Sequence, residues 1–481
     1  MAGLLMAGTS SDAGKSLIVA GLCRAWARKG VRVAPFKAQN MSNNSMVCPD
    51  GSEIGRAQYL QAIAAGVEPS ATLNPVLLKP GTDRRAFIVL RGRPDGTLEA
   101  GEYAGGRTRL AEAAFEAYRE LEAGYDLVVA EGAGSPAEIN LRAGDYVNLG
   151  LAREFRIPVV LVGDIDRGGV LASIFGHWAI VDEADRATLA GYLINKFRGD
   201  QAVLDPGLVE LSSRIGLPCF GVVPWLDQVW LDSEDTLAVA TWPQLPGRAG
   251  SLRVAAIRFP RISNATDLDA LAAEPGLDVF ATASPSDVAG ADLVVLPGSR
   301  ATLADLDWLR RLGLAEALLA RGAAGRPILG ICGGYQMLTD VIDDPIESAR
   351  GTVPGLGLLP ARVRFNAEKI LARPTDSWHG HPVTGYEIHH GVVEATGGEP
   401  FLDGVRDGNT WGTVRHGAFE NDDFRRAWLA ELAETVGSTW QPVPGAPGFT
   451  ERREQMLDDL ADALDAHADL GALLELAGPR A

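Results

Sequence analysis

The segment Gly8-Thr-Ser-Ser-Asp-Ala-Gly-Lys15-Ser16 lies between an apolar run, Leu4–Ala7, and a helical stretch, Lys15–Lys29, that closes at Gly30. A glycine-rich loop between a strand and a helix can close its backbone N–H groups around phosphate oxygens. In such a loop Lys15 neutralises the phosphates, Ser16 can ligate Mg²⁺, and the helix N-terminus adds its dipole. Five residues, rather than the usual four, separate Gly8 from Gly14-Lys15, and Thr9 stands at a position that is usually glycine. Gly8, Thr9, Gly14, Lys15 and Ser16 are therefore the candidate ATP-binding residues.

A loop of this kind needs a parallel sheet to carry it, and the chain supplies the pattern. Short β-branched runs at Leu4–Ala7, Val31–Phe36, Asp126–Ala130, Pro158–Val162, Gly191–Ile194 and Cys219–Val223 alternate with helical stretches such as Arg107–Glu122. That alternation predicts helices on both faces of a parallel sheet. The Pro- and Gly-rich stretch Trp242–Gly250 reads as a linker, and a second α/β series follows at Leu252–Ile257, Leu293–Leu296, Pro327–Ile331 and Gly385–Val393. The tail, Arg452–Leu476, has helical spacing. The expected division is a phosphate-loop domain over 1–235, a linker over 236–251, a second α/β domain over 252–445 and a helical tail over 446–481.

Composition narrows the function. A net charge of −18 over 481 residues opposes attachment to nucleic acid or anionic lipid, which need basic patches. No run approaches the roughly 18 apolar residues of a membrane span. The start of the chain shows no basic n-region or small-residue cleavage site, which reads as cytoplasmic. The four cysteines, at 23, 48, 219 and 332, form no Cys-x-x-Cys pair, so any that matters acts alone.

In Gly330-Ile331-Cys332-Gly333-Gly334-Tyr335-Gln336, an apolar strand turns sharply into a helix with the cysteine at the turn. Such an elbow presents a thiol at a helix N-terminus, where the dipole favours thiolate, so Cys332 is the candidate nucleophile. The Leu296-Pro-Gly298-Ser299 loop and the amide of Gly333 are the expected oxyanion donors, and Gln336 is expected to line the glutamine pocket. His416, after the strand-like Trp411–Arg415, is the expected general base and acid. His379, His381, His389 and His390 lack cysteine or carboxylate partners at recognisable spacing, and Tyr386–Gly391 is expected to line the glutaminase pocket or face the other half.

On these residues the second half resembles class I, or triad-type, glutamine amidotransferases. That class usually places a glutamate two residues after the histidine; here that residue is Ala418, and Glu420 is the next acid. The first half resembles the dethiobiotin synthetase group, which attacks carboxylates with ATP. In that frame Glu131, at a strand end, is expected to hold Mg²⁺ with Ser16, and Asn195 is expected to read the base. A partition-type ATPase is the alternative, although its loop usually carries an early lysine where this chain has Thr9, Ser10 and Ser11.

The order of the halves and the runs Pro35–Met41, Gly51–Gln58, Asn74–Pro80, Gly163–Gly169, Asn195–Asp200 and Gly385–His389 resemble the cobyric acid synthase family of cobalamin biosynthesis. The resemblance implies amidation of carboxylates b, d, e and g of adenosylcobyrinic acid a,c-diamide, a corrinoid, with one glutamine and one ATP consumed each time. It also implies that Lys37, Arg56 and Lys79 face phosphates or substrate carboxylates and that Glu53 serves the metal. Two alternatives are the sister enzyme acting on carboxylates a and c, disfavoured by Asn40–Asn44, and a nucleotide switch with a degenerate amidotransferase module.

Overall fold

Gly3–Gly8 (β1) is buried along its whole length and apolar on both faces, so it must lie inside a sheet covered on both sides. Its neighbours are Val33–Phe36 (β2), Leu127–Glu131 (β3), Val159–Asp164 (β4), Leu189–Phe197 (β5) and Cys219–Pro224 (β6). In the computed structural model, which describes residues 2–82, 85–99, 107–229 and 251–479, these strands run in the order β6-β5-β4-β1-β3-β2, all neighbours parallel. Met6 pairs with Glu131 and Gly8 with Val162, so the loop leaving β1 and the carboxylate closing β3 share one carboxyl edge. Sheets of this type bind their ligands at that edge.

The chain divides into two units. One comprises Met1–Ser42, Cys48–Val229 and Arg453–Ala481, and the other Asn43–Val47 and Trp230–Arg452. Residues 236–250 of the expected linker lie outside the described residues.

In the first unit Lys15–Arg28 (α1) and Arg56–Ala65 (α2) follow the strands, and a small sheet of Gln39–Met41, Val76–Thr82, Arg85–Leu90 and Arg93–Glu99 carries Lys79. Sequence periodicity did not anticipate that small sheet, whose outermost strand is mostly exposed and so carries no apolar run.

The second unit is built on a seven-stranded sheet. Its strands are Leu252–Ile257 (β7), Leu277–Thr282 (β8), Leu293–Leu296 (β9), Ile328–Ile331 (β10), Glu399–Phe401 (β11), Gly404–Asp407 (β12) and Thr410–Thr413 (β13), in the order β8-β7-β9-β10-β13-β12-β11. β8 lies at an edge and is only partly buried, so it lacks the apolar run by which β9, and β7 from Val254 on, are recognised. Gly333–Leu338 (α3) follows β10 directly. A second sheet, Gly351–Pro354, Thr339–Asp344, Leu359–Ala372 and Glu387–Ala395, takes up the β-rich stretch.

The tail forms two helices, Phe449–His467 (α4) and Leu470–Ala477 (α5). From Arg453 onward they belong to the first unit, where Ala461, Leu464, Leu470 and Leu473 join the core lining α1. Arg24 meets Asp458 at 2.8 Å, Arg28 meets Asp462 at 2.7 Å and Lys29 meets Asp465 at 2.5 Å. Such exposed pairs stabilise by about 0–1 kcal/mol each, so they set register more than strength. No helix of the described residues is long and apolar enough to cross a membrane.

Gly21 explains how closely the tail approaches. A Cβ there would lie 2.5 Å from Leu464 Cδ1 and 2.9 Å from Leu460 Cγ. Gly21→Val should destabilise the chain by about 1–3 kcal/mol through overpacking, read as a lower urea midpoint, and Leu464→Ala should restore part of that loss in the double variant.

Candidate active sites

The first site lies at the carboxyl edge of β1. Gly14, at φ 88°, adopts a left-handed turn that lets α1 begin at Lys15. Lys15 is buried and folds its ammonium back over the loop, donating to the Ser10 carbonyl at 3.2 Å. The Ser16 hydroxyl donates to Glu131 Oε1 at 2.8 Å. Lys37 Nζ approaches the same oxygen at 2.8 Å, and Gln61 Nε2 donates to Glu131 Oε2 at 2.7 Å. Ser16, Lys37 and Glu131, chosen from separate stretches of sequence, thus converge. Gln61 was missed, because an amide within a helix carries no sequence signal.

The other expected residues fall differently. Lys79 Nζ donates to Glu53 Oε1 at 2.5 Å, and both side chains are buried, so these two pair with each other. Arg56 is also buried, its guanidinium 5.8 Å from the Tyr59 ring centroid. Asn195 Nδ2 donates to the Ala13 carbonyl at 2.9 Å, so that nitrogen fastens the loop. Lys196 reinforces this fastening from the same strand end, reaching Asp12 O at 2.5 Å and Asp164 Oδ2 at 2.9 Å. Among the described residues no group of three or more His, Cys, Asp or Glu side chains is arranged to hold a metal. Ser16 Oγ and Glu131 Oε1, hard oxygens 2.8 Å apart at a phosphate loop, nevertheless suit a cation whose shell is completed by phosphates and water.

The second site forms where β10 meets α3. Cys332 has φ 49° and ψ −111°, a conformation that costs a non-glycine residue about 1–3 kcal/mol and that its surroundings must enforce. Enforcement comes from the Cys332 N–H donating to the Thr413 carbonyl at 2.7 Å and from close approach on either side. A Cβ on Gly334 would lie 2.0 Å from the Leu296 carbonyl oxygen, and one on Gly333 would lie 2.7 Å from Ser299 N. The loop carrying Gly298 and Ser299 is therefore pressed against the turn that carries the cysteine.

His416 is buried and lies close enough to Cys332 for the thiol to act on its ring electrostatically. Its Nδ1 lies 2.6 Å from Asp267 Oδ2, while Asp267 Oδ1 accepts from the Gly417 N–H at 2.8 Å. The expected Gly298 lies alongside, since a Cβ there would be 3.2 Å from His416 Cε1. Tyr386 pairs with His416 through both backbone groups and stacks on its ring at 5.3 Å. Gln336 Oε1 accepts from Thr302 Oγ1 at 3.1 Å.

Asp267, which the sequence did not single out, thus stands at the histidine where class I enzymes usually place a glutamate. It lies in a single turn, Ala265–Leu268, far from His416 in sequence, and nothing local distinguishes it from Asp269. Burial alone would push the His416 ring toward its neutral form, but Asp267 and Cys332 outweigh that and raise it to about 10. The imidazolium is thereby the favoured state of the ring, and a cysteine proton passed to it is well accommodated. Three of the remaining histidines have other partners: His389 lies 3.2 Å from Glu387 and His390 3.2 Å from the Asn366 carbonyl, while His379 stacks on Trp378.

Two family models cover the chain. The CobQ/CobB/MinD/ParA nucleotide binding domain matches residues 4–238, and the CobB/CobQ-like glutamine amidotransferase domain matches residues 253–424. The first span holds Lys15, Ser16 and Glu131, and the second holds Asp267, Cys332 and His416. A protein of Cutibacterium acnes (strain DSM 16379 / KPA171202) named cobyric acid synthase is 61% identical over 483 residues, covering 99% of this chain and all of its own. The chain belongs to the cobyric acid synthase family. Further cobyric acid synthases, from Mycobacterium sp. (strain KMS) and Streptomyces avermitilis, are each 54% identical, covering 99% and 98% of this chain and 97% and 96% of their own. The fold expected from the sequence, a phosphate-loop domain followed by a class I amidotransferase domain, is the one both models describe.

The raised His416 pKa has a signed consequence for stability. The folded chain holds a proton on His416 that the unfolded chain releases above about 6.5, so this contribution is full below pH 6.5 and is lost as pH rises toward about 10. Asp267→Asn should remove it. The gap in urea midpoint between wild type and Asp267→Asn should therefore narrow steadily from pH 6.5 to 10.

Proposed function

We propose that this chain is a cytoplasmic, glutamine-hydrolysing ligase that amidates carboxylates b, d, e and g of adenosylcobyrinic acid a,c-diamide, using ATP. The observation that carries the reading is the buried line Cys332–His416–Asp267 in a chain that also holds a phosphate loop. The substrate follows from membership of the cobyric acid synthase family.

In the amidotransferase unit the Cys332 sulfur attacks the side-chain carbonyl of glutamine. The amides of Gly298 and Gly333 receive the oxyanion, and Gln336 lines the pocket. His416, holding the proton taken from the thiol, delivers it to the departing nitrogen, and ammonia leaves a thioester on Cys332. Water activated by His416 hydrolyses that thioester to glutamate. Asp267 holds the ring with Nε2 toward the sulfur and stabilises its charge throughout.

In the phosphate-loop unit the loop from Gly8 through Thr9 to Gly14 wraps the nucleotide phosphates, Lys15 offsets their charge and Asn195, bonded to the Ala13 carbonyl, holds the loop closed. Ser16 and Glu131 are the ligands that would hold Mg²⁺, which neutralises the charge developing on the transferred phosphoryl group. A substrate carboxylate oxygen attacks the γ-phosphorus and ADP leaves. Lys37, Arg56 and Lys79 are the cations suited to orient the carboxylate and its acyl phosphate, and Glu53 positions Lys79. Ammonia then attacks the acyl carbon, phosphate departs and an amide remains.

Cys332→Ser should abolish synthesis from glutamine while leaving synthesis from high ammonia largely intact, whereas Lys15→Ala should remove synthesis from either nitrogen source and spare glutamine hydrolysis. Mass spectrometry of the corrinoid checks both, since each acid converted to amide lowers the mass by about one unit. Ammonia-dependent product from Lys15→Ala at the normal rate would overturn the phosphate-loop assignment.

A further inference from the structure

The segment Asn43–Val47 is surrounded in sequence by the first unit yet belongs to the second. From Asn44 on its residues are almost completely withdrawn from solvent, with Asn44 at 1%, Ser45 at 0% and Val47 at 0% exposure. What they touch is the turn that carries Asp267. The Ser45 N–H donates to Asn264 Oδ1 at 3.0 Å, and Asn44 Oδ1 accepts from the Ala265 N–H at 3.3 Å. Asn264, itself buried, sits at φ 50° and ψ 45°, and its carbonyl accepts from the Asp267 N–H at 3.1 Å.

A left-handed residue that opens a single turn is held mainly by what its side chain grips. Here the grip is Ser45. Three residues further on, the same turn presents both oxygens of Asp267, one to His416 and one to Gly417. An error of about 1 Å in a charged, hydrogen-bonded group is costly to catalysis, and Asp267 has no long element of its own to fix it.

We propose that Asn44 and Ser45 are positioning residues for glutamine hydrolysis, holding the Asn264–Asp267 turn so that its carboxylate orients His416. The assignment rests on the glutaminase reading of Cys332 and His416. It gives a role to Asn44, the last residue of the Asn-Met-Ser-Asn-Asn run, which neither half-reaction explains. The glutaminase would then be incomplete without residues encoded in the first tenth of the chain.

The test uses the full chain with glutamine hydrolysis and ammonia-dependent amidation measured side by side. Asn44→Ala, which removes one grip, and Asn264→Gly, which keeps the left-handed backbone but removes the other, should each lower kcat for glutamine hydrolysis about tenfold or more. KM for glutamine and ammonia-dependent amidation should stay near wild type. Asn264→Asp, which restores an acceptor for Ser45 and tolerates the same backbone, should recover most of the lost rate. Wild-type kcat in both grip variants would overturn the proposal, as would a loss shared equally by the ammonia reaction or an Asn264→Asp no better than Asn264→Gly. Cys332→Ser in the same assay separates the two levels, because hydrolysis surviving that change would remove the glutaminase reading itself.

Discussion

A carboxylate taken out of water must be met by donors on nearly every lone pair, and each unit arranges its candidate site around one such group. Glu131 gathers a hydroxyl, an ammonium and an amide from Ser16, Lys37 and Gln61. Asp267 gathers an imidazole and a backbone N–H from His416 and Gly417. Removing either carboxylate would leave its donors buried without their acceptor, so the cost would fall on geometry as well as charge. The loops around these groups can therefore be irregular, because the carboxylate rather than a regular backbone ladder fixes where the functional side chains point.

The same logic explains what could be read from the chain. The strands β1, β3 and β10, and β7 from Val254 on, are apolar runs because parallel strands are covered on both faces, and each announces itself locally. Lys15 and Cys332 were legible because both occupy turns whose backbone demands glycine nearby, leaving a spacing that chance rarely produces. Asp267 was not. Its importance lies entirely in a partner about 150 residues away, and an acid in a single turn has neither periodicity nor a tell-tale neighbour. The placement of Asn43–Val47 was hidden for the same reason, since pattern reports the local conformation of a segment and not which core receives it.

The two halves also differ in how they hold strain. At the phosphate loop Gly14 adopts the left-handed region without steric penalty, and the other such residue, Asp12 at φ 59°, is of a type that tolerates it. At the elbow the residue at positive φ is Cys332, whose side chain forbids that ease. The difference follows from function. A phosphate cradle uses backbone amides and can spare the side chain, whereas a nucleophile needs one at the sharpest point of the turn. Packing of Gly333 and Gly334 against Ser299 and Leu296 supplies the constraint.

The tail helices carry a consequence for how the molecule comes into being. Ala461, Leu464, Leu470 and Leu473 complete the core beneath α1, the helix that starts at Lys15. Domains made on a ribosome ordinarily fold from the N-terminus onward, yet here the first unit waits for residues that follow the second. By the time Arg453 is added, every residue of the amidotransferase unit has already been made, Asn43–Val47 among the earliest. Biosynthesis thus favours maturation in the reverse of gene order, with the ATP-binding half acquiring its full core only after the amidotransferase unit has been made.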